Sequence, residues 1–162
     1  MSAKDHTNVK ESLRRRDNES VHILLVEDNP ADVKLIEQGL DRARVAFRLA
    51  TVCDGEQAIR FLRNLDDKAV RPNLILLDWA LPKMSGHEVL STIKSDENLR
   101  QIPVVVLTSS SAPDDIEGAY NLYANCYLRK PLNADQFLDM IEALERFWLQ
   151  TATLPRLRRY GL

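Results

Sequence analysis

The sequence has only two cysteines, Cys53 and Cys126, and neither stands in a CxxC or His-rich setting. That argues against a disulfide scaffold and gives no sign of a structural zinc site, so a reducing, cytoplasmic compartment is expected. Long apolar runs are missing too. The longest, residues 23–26, 74–77 and 104–107, are far shorter than the ~20 residues of a membrane span. The first 20 residues hold no apolar stretch able to form the core of a signal peptide. Nor is there a basic excess: 24 acidic against 22 basic side chains give a formal charge of −2, so no general attraction to nucleic acid is built in.

What is present amounts to one domain's worth of chain. At 162 residues and 44% hydrophobic content there is enough apolar surface for a single core. Residues 21–150 carry 14 basic and 20 acidic side chains, a net −6, so the acidity belongs to the middle of the chain. The sequence divides into a polar arm expected to be disordered (residues 1–19), one folded domain (20–150) and a short C-terminal extension (151–162).

From Ser20 onward, short β-branched runs alternate five times with longer amphipathic stretches. VHILLV (residues 21–26) reads as a strand stopped by Asn29-Pro30, an N-cap followed by proline at the first helical position. The helix after it places Val33, Ile36 and Leu40 on one face. Residues 45–52 form a weaker, alternating strand, and Asp54 caps a helix reaching about Leu65. LILL (74–77) and VVVL (104–107) have the unbroken apolar character of strands buried on both faces. Helices are expected over residues 88–94, from Pro113, and from Asn133 to about Gln150, with a fifth strand at 125–128. In the last helix Phe137, Ile141, Leu144 and Trp148 follow 4-3-4 spacing and should face the sheet. Strand alternating with helix means right-handed βαβ crossovers, hence a doubly wound α/β fold with a five-stranded parallel sheet, (βα)5. In such sheets ligands bind beyond the carboxyl ends of the strands.

Just past those ends stand Glu27 and Asp28, Asp78, Thr108 and Lys130. Crowded carboxylates repel unless a cation intervenes. Mg2+ fits the role: it takes about six oxygens, keeps several waters and uses one or two carboxylates plus a phosphate. Glu27, Asp28 and Asp78, with a main-chain carbonyl near Ala80, make such a set. Each residue alone has a plainer reading: Glu27 and Asp28 as helix caps, Thr108 as a strand residue, Lys130-Pro131 as a turn. Asp78 is harder to dismiss, because it follows a wholly apolar strand where an unpartnered carboxylate is costly.

Residues 21–150 resemble the receiver domain of two-component response regulators. The resemblance rests on LLVEDN, LILLDWALPKMSG, PVVVLTSS and CYLRKP, with Thr108 30 positions after Asp78 and Lys130 22 after Thr108. It implies that Asp78 is the phosphoacceptor for a sensor histidine kinase. Mg2+ would sit on Glu27, Asp28, Asp78 and the Ala80 carbonyl, Lys130 would pair with the phosphoryl oxygens, and Thr108 would close on the attached group. It further implies a Lys130–Pro131 bond of the kind that is often cis in the family, and a switch that couples Thr108 to Tyr127. Ala80 and Ser110 offer little to orient an attacking water, which predicts slow loss of the phosphoryl group.

With few residues left after the domain, a separate DNA-binding or catalytic effector is not expected, and output through the protein's own surface is. RPNLILLD, IPVVVLTSS, NCYLRKP and FWLQTATLP resemble the single-domain regulators that pair with phytochrome histidine kinases. As in those relatives, a homodimer surface is expected around Tyr120, Tyr123, Met140, Phe147 and Trp148. For Met140 and Phe147 a wide core face is the equal alternative. Arg14, Arg15 and Arg16, with Arg156, Arg158 and Arg159, are short basic pieces that could touch nucleic acid but read more simply as solvated tails. Two other classes stay open: a phosphatase with an aspartyl-phosphate intermediate, weakened by Ala80 where a second Asp is usual, and a docking module that has lost its chemistry. The receiver reading makes the protein a phosphoacceptor rather than an enzyme.

Overall fold

The computed structural model describes residues 9–10, 20–64 and 71–155. Its elements in chain order are β1 (Val9–Lys10), β2 (Val21–Val26), α1 (Pro30–Asp41), β3 (Phe47–Val52), α2 (Gly55–Arg63) and β4 (Leu74–Asp78). After them come α3 (Gly86–Ser95), β5 (Val104–Thr108), α4 (Pro113–Asn121), β6 (Cys126–Arg129), α5 (Ala134–Glu145) and a π-helical turn, Arg146–Thr151. The sheet order is β1-β3-β2-β4-β5-β6, and β3, β2, β4, β5 and β6 run parallel. The expected doubly wound five-stranded parallel sheet is therefore present.

The chain reverses its direction of winding between β2 and β4, which lie side by side although β3 comes between them in sequence. Helices α1 and α5 cover one face, and α2, α3 and α4 the other. Along β4 the side chains alternate between these layers: Ile75 and Leu77 join the α2–α4 side, Leu74 and Leu76 the α1–α5 side. Both faces of β4 are sealed, which explains why its sequence is unbroken LILL. Fully burying each such side chain contributes about 1.5–3 kcal/mol.

Local signals set most helix starts. Asn29 Oδ1 accepts from the Ala31 N–H with Pro30 at the first position of α1, and Asp54 Oδ1 accepts from the Gln57 N–H at 2.8 Å. Ser85 and Glu88 form a reciprocal capping box on α3, which starts two residues before the expected 88. Gly39 answers to packing instead. A Cβ there would lie 2.4 Å from Ile141 Cγ2, so only glycine lets α1 approach α5 this closely.

Three expectations need correction. Two residues of the polar arm, Val9 and Lys10, pair antiparallel with Ala50 and Leu49, adding a sixth strand. β3 would otherwise present an open row of backbone donors and acceptors at the sheet edge, and even a short strand covers part of it. The last helix does not continue as α-helix to Gln150. At Arg146 it widens into a π-turn, marked by the Ala152 N–H donating to the Phe147 carbonyl at 2.7 Å. The extra residue advances the register by one, so Leu149 enters the core where the 4-3-4 spacing placed Trp148. Trp148 and Met140 are half-buried against the α1–α5 core, which leaves Tyr120, Tyr123 and Phe147 as the exposed members of the expected dimer surface. Finally, Lys130–Pro131 is trans, and no cis peptide occurs among the described residues. The arginines at 14–16 and 156–159 lie outside the described residues, as does Leu65. Of the extension, residues 151–155 turn back onto the domain: Leu154 packs against the α1–α5 core and the Pro155 carbonyl accepts from Asn73 Nδ2 at 3.3 Å.

Helix α4 ends in a Schellman motif, with the Ala124 N–H donating to the Ala119 carbonyl and the Tyr123 N–H to the Tyr120 carbonyl. The residue at the left-handed position is Tyr123, φ 65, where glycine is the usual occupant. Its ring is 76% exposed, so packing offsets little of the backbone cost. Tyr123→Gly is expected to raise stability by about 1 kcal/mol, the cost of a non-glycine residue in this region. Urea unfolding followed by circular dichroism checks this, and an unchanged or lower midpoint would count against it.

Candidate phosphoryl site

The switch in winding direction brings the ends of β2 and β4 together, and the acidic residues are at those ends. Glu27 and Asp28 follow β2, and Asp78 closes β4. One carboxylate oxygen from each lies within 4.8 Å of the others, with Glu27 and Asp78 buried and Asp28 exposed. One side of this cluster opens to solvent through Asp28 and the other is closed by protein. Of the predicted phosphoryl-site residues, Glu27, Asp28 and Asp78 meet here, joined by Lys130.

Lys130, one residue past β6, reaches across from the buried side. Its Nζ is 2.5 Å from Glu27 Oε2, 3.0 Å from Asp32 Oδ2 and 3.6 Å from Asp78 Oδ1. The Lys130 N–H donates to the Thr108 carbonyl at 2.8 Å, which locks the β6 end to the β5 end. Three carboxylates thus share one ammonium. Burial pushes the Glu27 carboxyl up to about 7, against the opposing pull of Lys130, and the nearby Asp78 charge pushes the same way. Asp78 is also raised, by burial first, while Lys130, Glu27 and the N–H groups of Ala80 and Trp79 pull it back. Burial works to lower Lys130, but its bonds to Glu27 and the neighbouring carboxylate charges outweigh that and raise it. The cluster is electrostatically unsatisfied and holds protons that ordinary carboxylates lose by pH 5. A divalent cation fits this donor set of three hard oxygens.

Thr108 is buried at the end of β5, and its Oγ1 accepts from the Ser110 N–H at 3.3 Å. Tyr127, on β6, points its hydroxyl to the Ser110 carbonyl at 3.0 Å. Thr108 and Tyr127 are thus linked through one residue, Ser110, rather than in direct contact. Ala80 is exposed at the cluster's rim. Gly86 holds the acceptor loop down: a Cβ there would meet the Asp78 carbonyl at 2.4 Å and Trp79 Cα at 2.6 Å.

Sequence reasoning missed two residues. Asp32 appears only as a first-turn residue of α1, yet it shares Lys130. Asp28 precedes the N-cap Asn29, so helical spacing gives no signal that Asp32 reaches the cluster. Asp115 stands in the first turn of α4, where an acidic residue is ordinary, but its carboxylate accepts from Trp79 Nε1 at 3.3 Å and from Ser110 Oγ at 2.5 Å. Nothing in the sequence gives that pairing, since it depends on how β4 and α4 are juxtaposed.

Comparison with known proteins agrees with this arrangement. Response regulator Rcp1 of Synechocystis is 45% identical over 135 residues, covering 82% of this chain and 92% of that protein. A probable methanogenesis regulatory protein, FilR2 of Methanothrix harundinacea, is 45% identical over 129 residues, covering 78% and 83%. Among solved structures, the Mn2+-bound form of Rcp1 superposes with a TM-score of 0.80 at 44% identity, covering 83% of this chain and 99% of that one. The phosphorylated cyanobacterial phytochrome response regulator RcpA gives 0.80 at 48% identity, covering 84% and 99%. The response regulator receiver domain description fits residues 23–142. With that match over most of its length, and with acidic, hydroxyl and ammonium groups gathered at the strand ends, the chain belongs to the response regulator receiver family.

Proposed function

We propose that Asp78 is the phosphoacceptor and that the chain receives its phosphoryl group from a sensor histidine kinase. The observation that carries this is the placing of Asp78: buried at the end of β4, 3.6 Å from Lys130 Nζ and within one cation's reach of Glu27 and Asp28. In the transfer, an Asp78 carboxylate oxygen bonds to phosphorus as the bond from phosphorus to the histidine nitrogen breaks. Lys130 offsets negative charge on the phosphoryl oxygens, and Thr108, at the end of the neighbouring strand, supplies a hydroxyl to the attached group. Phosphoryl transfer depends chiefly on such positioning and charge stabilisation. A Mg2+ held by Glu27, Asp28, Asp78 and the Ala80 carbonyl would neutralise further charge on that group.

A phytochrome-class kinase is the proposed donor, supported by the likeness to Rcp1 and RcpA. The equal identity to the methanogenesis regulator makes another kinase class the alternative. Output is proposed to run through protein contacts, with a homodimer formed through Tyr120, Tyr123 and Phe147, which are exposed. No described helix is long and apolar enough to cross a membrane, and both cysteines are free, which supports a cytoplasmic setting. As a phosphoacceptor the protein turns over no separate substrate.

The test is incubation of the full chain with acetyl phosphate and Mg2+, read by mobility on phosphate-affinity gels, followed by transfer from purified phytochrome-class and other histidine kinases. A stable shift supports the acceptor reading. Turnover of phosphate esters without it would favour the phosphatase, and no reaction the docking module. Transfer only from another kinase class would remove the phytochrome pairing and leave the acceptor in place.

A pH dependence follows from the raised carboxyls. Because Glu27 titrates near 7 and Asp78 is also raised, a cation binding below that pH must displace protons. Mg2+ affinity is therefore expected to rise with pH below 7, about tenfold per unit for each proton released, and to level off above it. Calorimetric titrations at three pH values between 5.5 and 8 measure this, and a flat profile would contradict it.

A further inference from the structure

We propose that Asp115 is a positioning residue for the phosphoryl chemistry, acting as a latch that ties the two loops flanking the acceptor. This rests on the assignment of Asp78 as phosphoacceptor. Asp115 stands in the first turn of α4, where an acidic residue is ordinary because it faces the helix N-terminus. Two further bonds go beyond that role, since their donors come from other segments. One carboxylate oxygen accepts from the indole N–H of Trp79, the residue directly after Asp78. The other accepts from the hydroxyl of Ser110, two residues after Thr108, at 2.5 Å. Charge-assisted bonds of this kind are roughly twice as strong as neutral ones.

Ser110 is where the connections meet. Its hydroxyl oxygen also accepts from the N–H of Ala112, the N-cap of α4, at 3.2 Å, which satisfies one donor at the start of a helix that has no side-chain cap. Its N–H donates to Thr108 Oγ1, and its carbonyl accepts from the Tyr127 hydroxyl. Trp79 also meets His87 of α3 edge to face, ring centroids 5.8 Å apart at 70°. Asp115 thus links the acceptor loop, the Thr108 loop and, through Ser110, Tyr127. Thr108 cannot move relative to the acceptor without disturbing Ser110, and Ser110 is held by Asp115.

The consequence concerns the lifetime of the phosphoryl group. In hydrolysis a water oxygen bonds to phosphorus, the bond from phosphorus to the Asp78 oxygen breaks, Asp78 leaves as carboxylate and both water protons end on inorganic phosphate. Loops latched on either side of Asp78 restrict the approach of that water. Releasing them shortens the lifetime while leaving the groups that drive loading, Asp78 and Lys130, in place.

The experiment loads the full chain with acetyl phosphate and Mg2+, removes the donor and follows decay on phosphate-affinity gels. Asp115→Ala is expected to shorten the half-life about fivefold, the effect of losing one to two hydrogen bonds, with the initial loading rate little changed. Ser110→Ala should shorten it in the wild-type background and add nothing in the Asp115→Ala background, because both break one unit. Asp115→Asn keeps an acceptor oxygen and should decay more slowly than Asp115→Ala. A merely structural role would make the two alanine effects multiply and would not spare loading. A wild-type half-life in Asp115→Ala, or multiplying effects, overturns the latch and leaves the acceptor assignment standing. If Asp115→Ala does not fold, Trp79→Phe and Ser110→Ala, each removing one arm, decide the question by the same readout. No label on the wild type overturns the latch together with the acceptor reading.

Discussion

Asp78→Asn is expected to abolish phosphoryl labelling from any donor and, in the same protein, to raise stability at pH 8 when divalent cations are removed. The first effect follows from chemistry, since an amide has no carboxylate oxygen to attack phosphorus. The second follows from the crowding of Glu27, Asp32 and Asp78 around one ammonium. In the folded protein Glu27 titrates near 7 and Asp78 is raised from its ordinary value, both chiefly because burial disfavours the ion. Between the ordinary carboxylate range and pH 7 the folded chain therefore binds more protons than the unfolded one, and stability falls as pH rises through that window. Replacing Asp78 by its neutral isostere removes its own share and the Coulombic push it exerts on Glu27. The gain is on the order of 1 kcal/mol at pH 8 and smaller at pH 5, where Glu27 holds its proton in either protein. Thermal unfolding in chelator at both pH values measures the difference, and labelling of the variant or an equal shift at both pH values would refute the account. An acceptor site that costs stability when empty of cation is the expected signature of groups arranged for chemistry rather than for the fold.

Much of this was legible in the sequence, for reasons that differ by element. β4 and β5 are buried on both faces, so their unbroken apolar runs had few competing readings. Asn29, Asp54 and Asn133 carry their cap function in one side chain, and the helices start beside them. The strand-end residues were legible because winding order alone decides which ends meet. What was not legible depends on contacts between distant segments. The π-turn at Arg146 costs regular hydrogen bonding and is held by features that periodicity does not record: Glu145, buried, accepts from Gln150 Nε2 at 2.8 Å, five residues on, and Thr151 Oγ1 donates to the Arg146 carbonyl. A 3.6-residue period therefore pointed to Trp148, and the structure buries Leu149. The same holds for Val9 and Lys10, whose pairing reflects the open edge of β3 rather than any propensity of their own. At the site, the family resemblance paired Lys130 with the phosphoryl oxygens, and its shorter bonds in the structure are to Glu27 and Asp32.

That distribution of bonds sets the expected result for Lys130→Met. Lys130 is buried, and it is the cation shared by Glu27, Asp32 and Asp78. Methionine replaces its apolar stem but leaves those carboxylates without that countercharge, and removing one partner from a buried ionic cluster costs about 3–5 kcal/mol. The cost should depend on pH in a defined direction. Lys130 itself is raised above its ordinary value, so its stabilising contribution is present below about 10.5 and is lost only as pH climbs through its folded value. Across pH 5 to 8 it stays charged in the wild type, and the variant's added pH dependence comes from the carboxylates alone. Without the ammonium, Glu27 is expected to titrate above its present value of about 7, because the bond that lowers it is gone. At pH 5 Glu27 is protonated in both proteins and the deficit is small; at pH 8 the variant must either ionise a buried carboxyl or hold its proton against solvent, and the deficit is near its maximum. Divalent cation should supply part of the missing charge, so Mg2+ is expected to raise the variant's melting temperature more than the wild type's. Urea unfolding at pH 5 and pH 8, with and without Mg2+, tests each step: a deficit that is equal at the two pH values, or a Mg2+ response no larger than in the wild type, would show that Lys130 serves packing rather than charge.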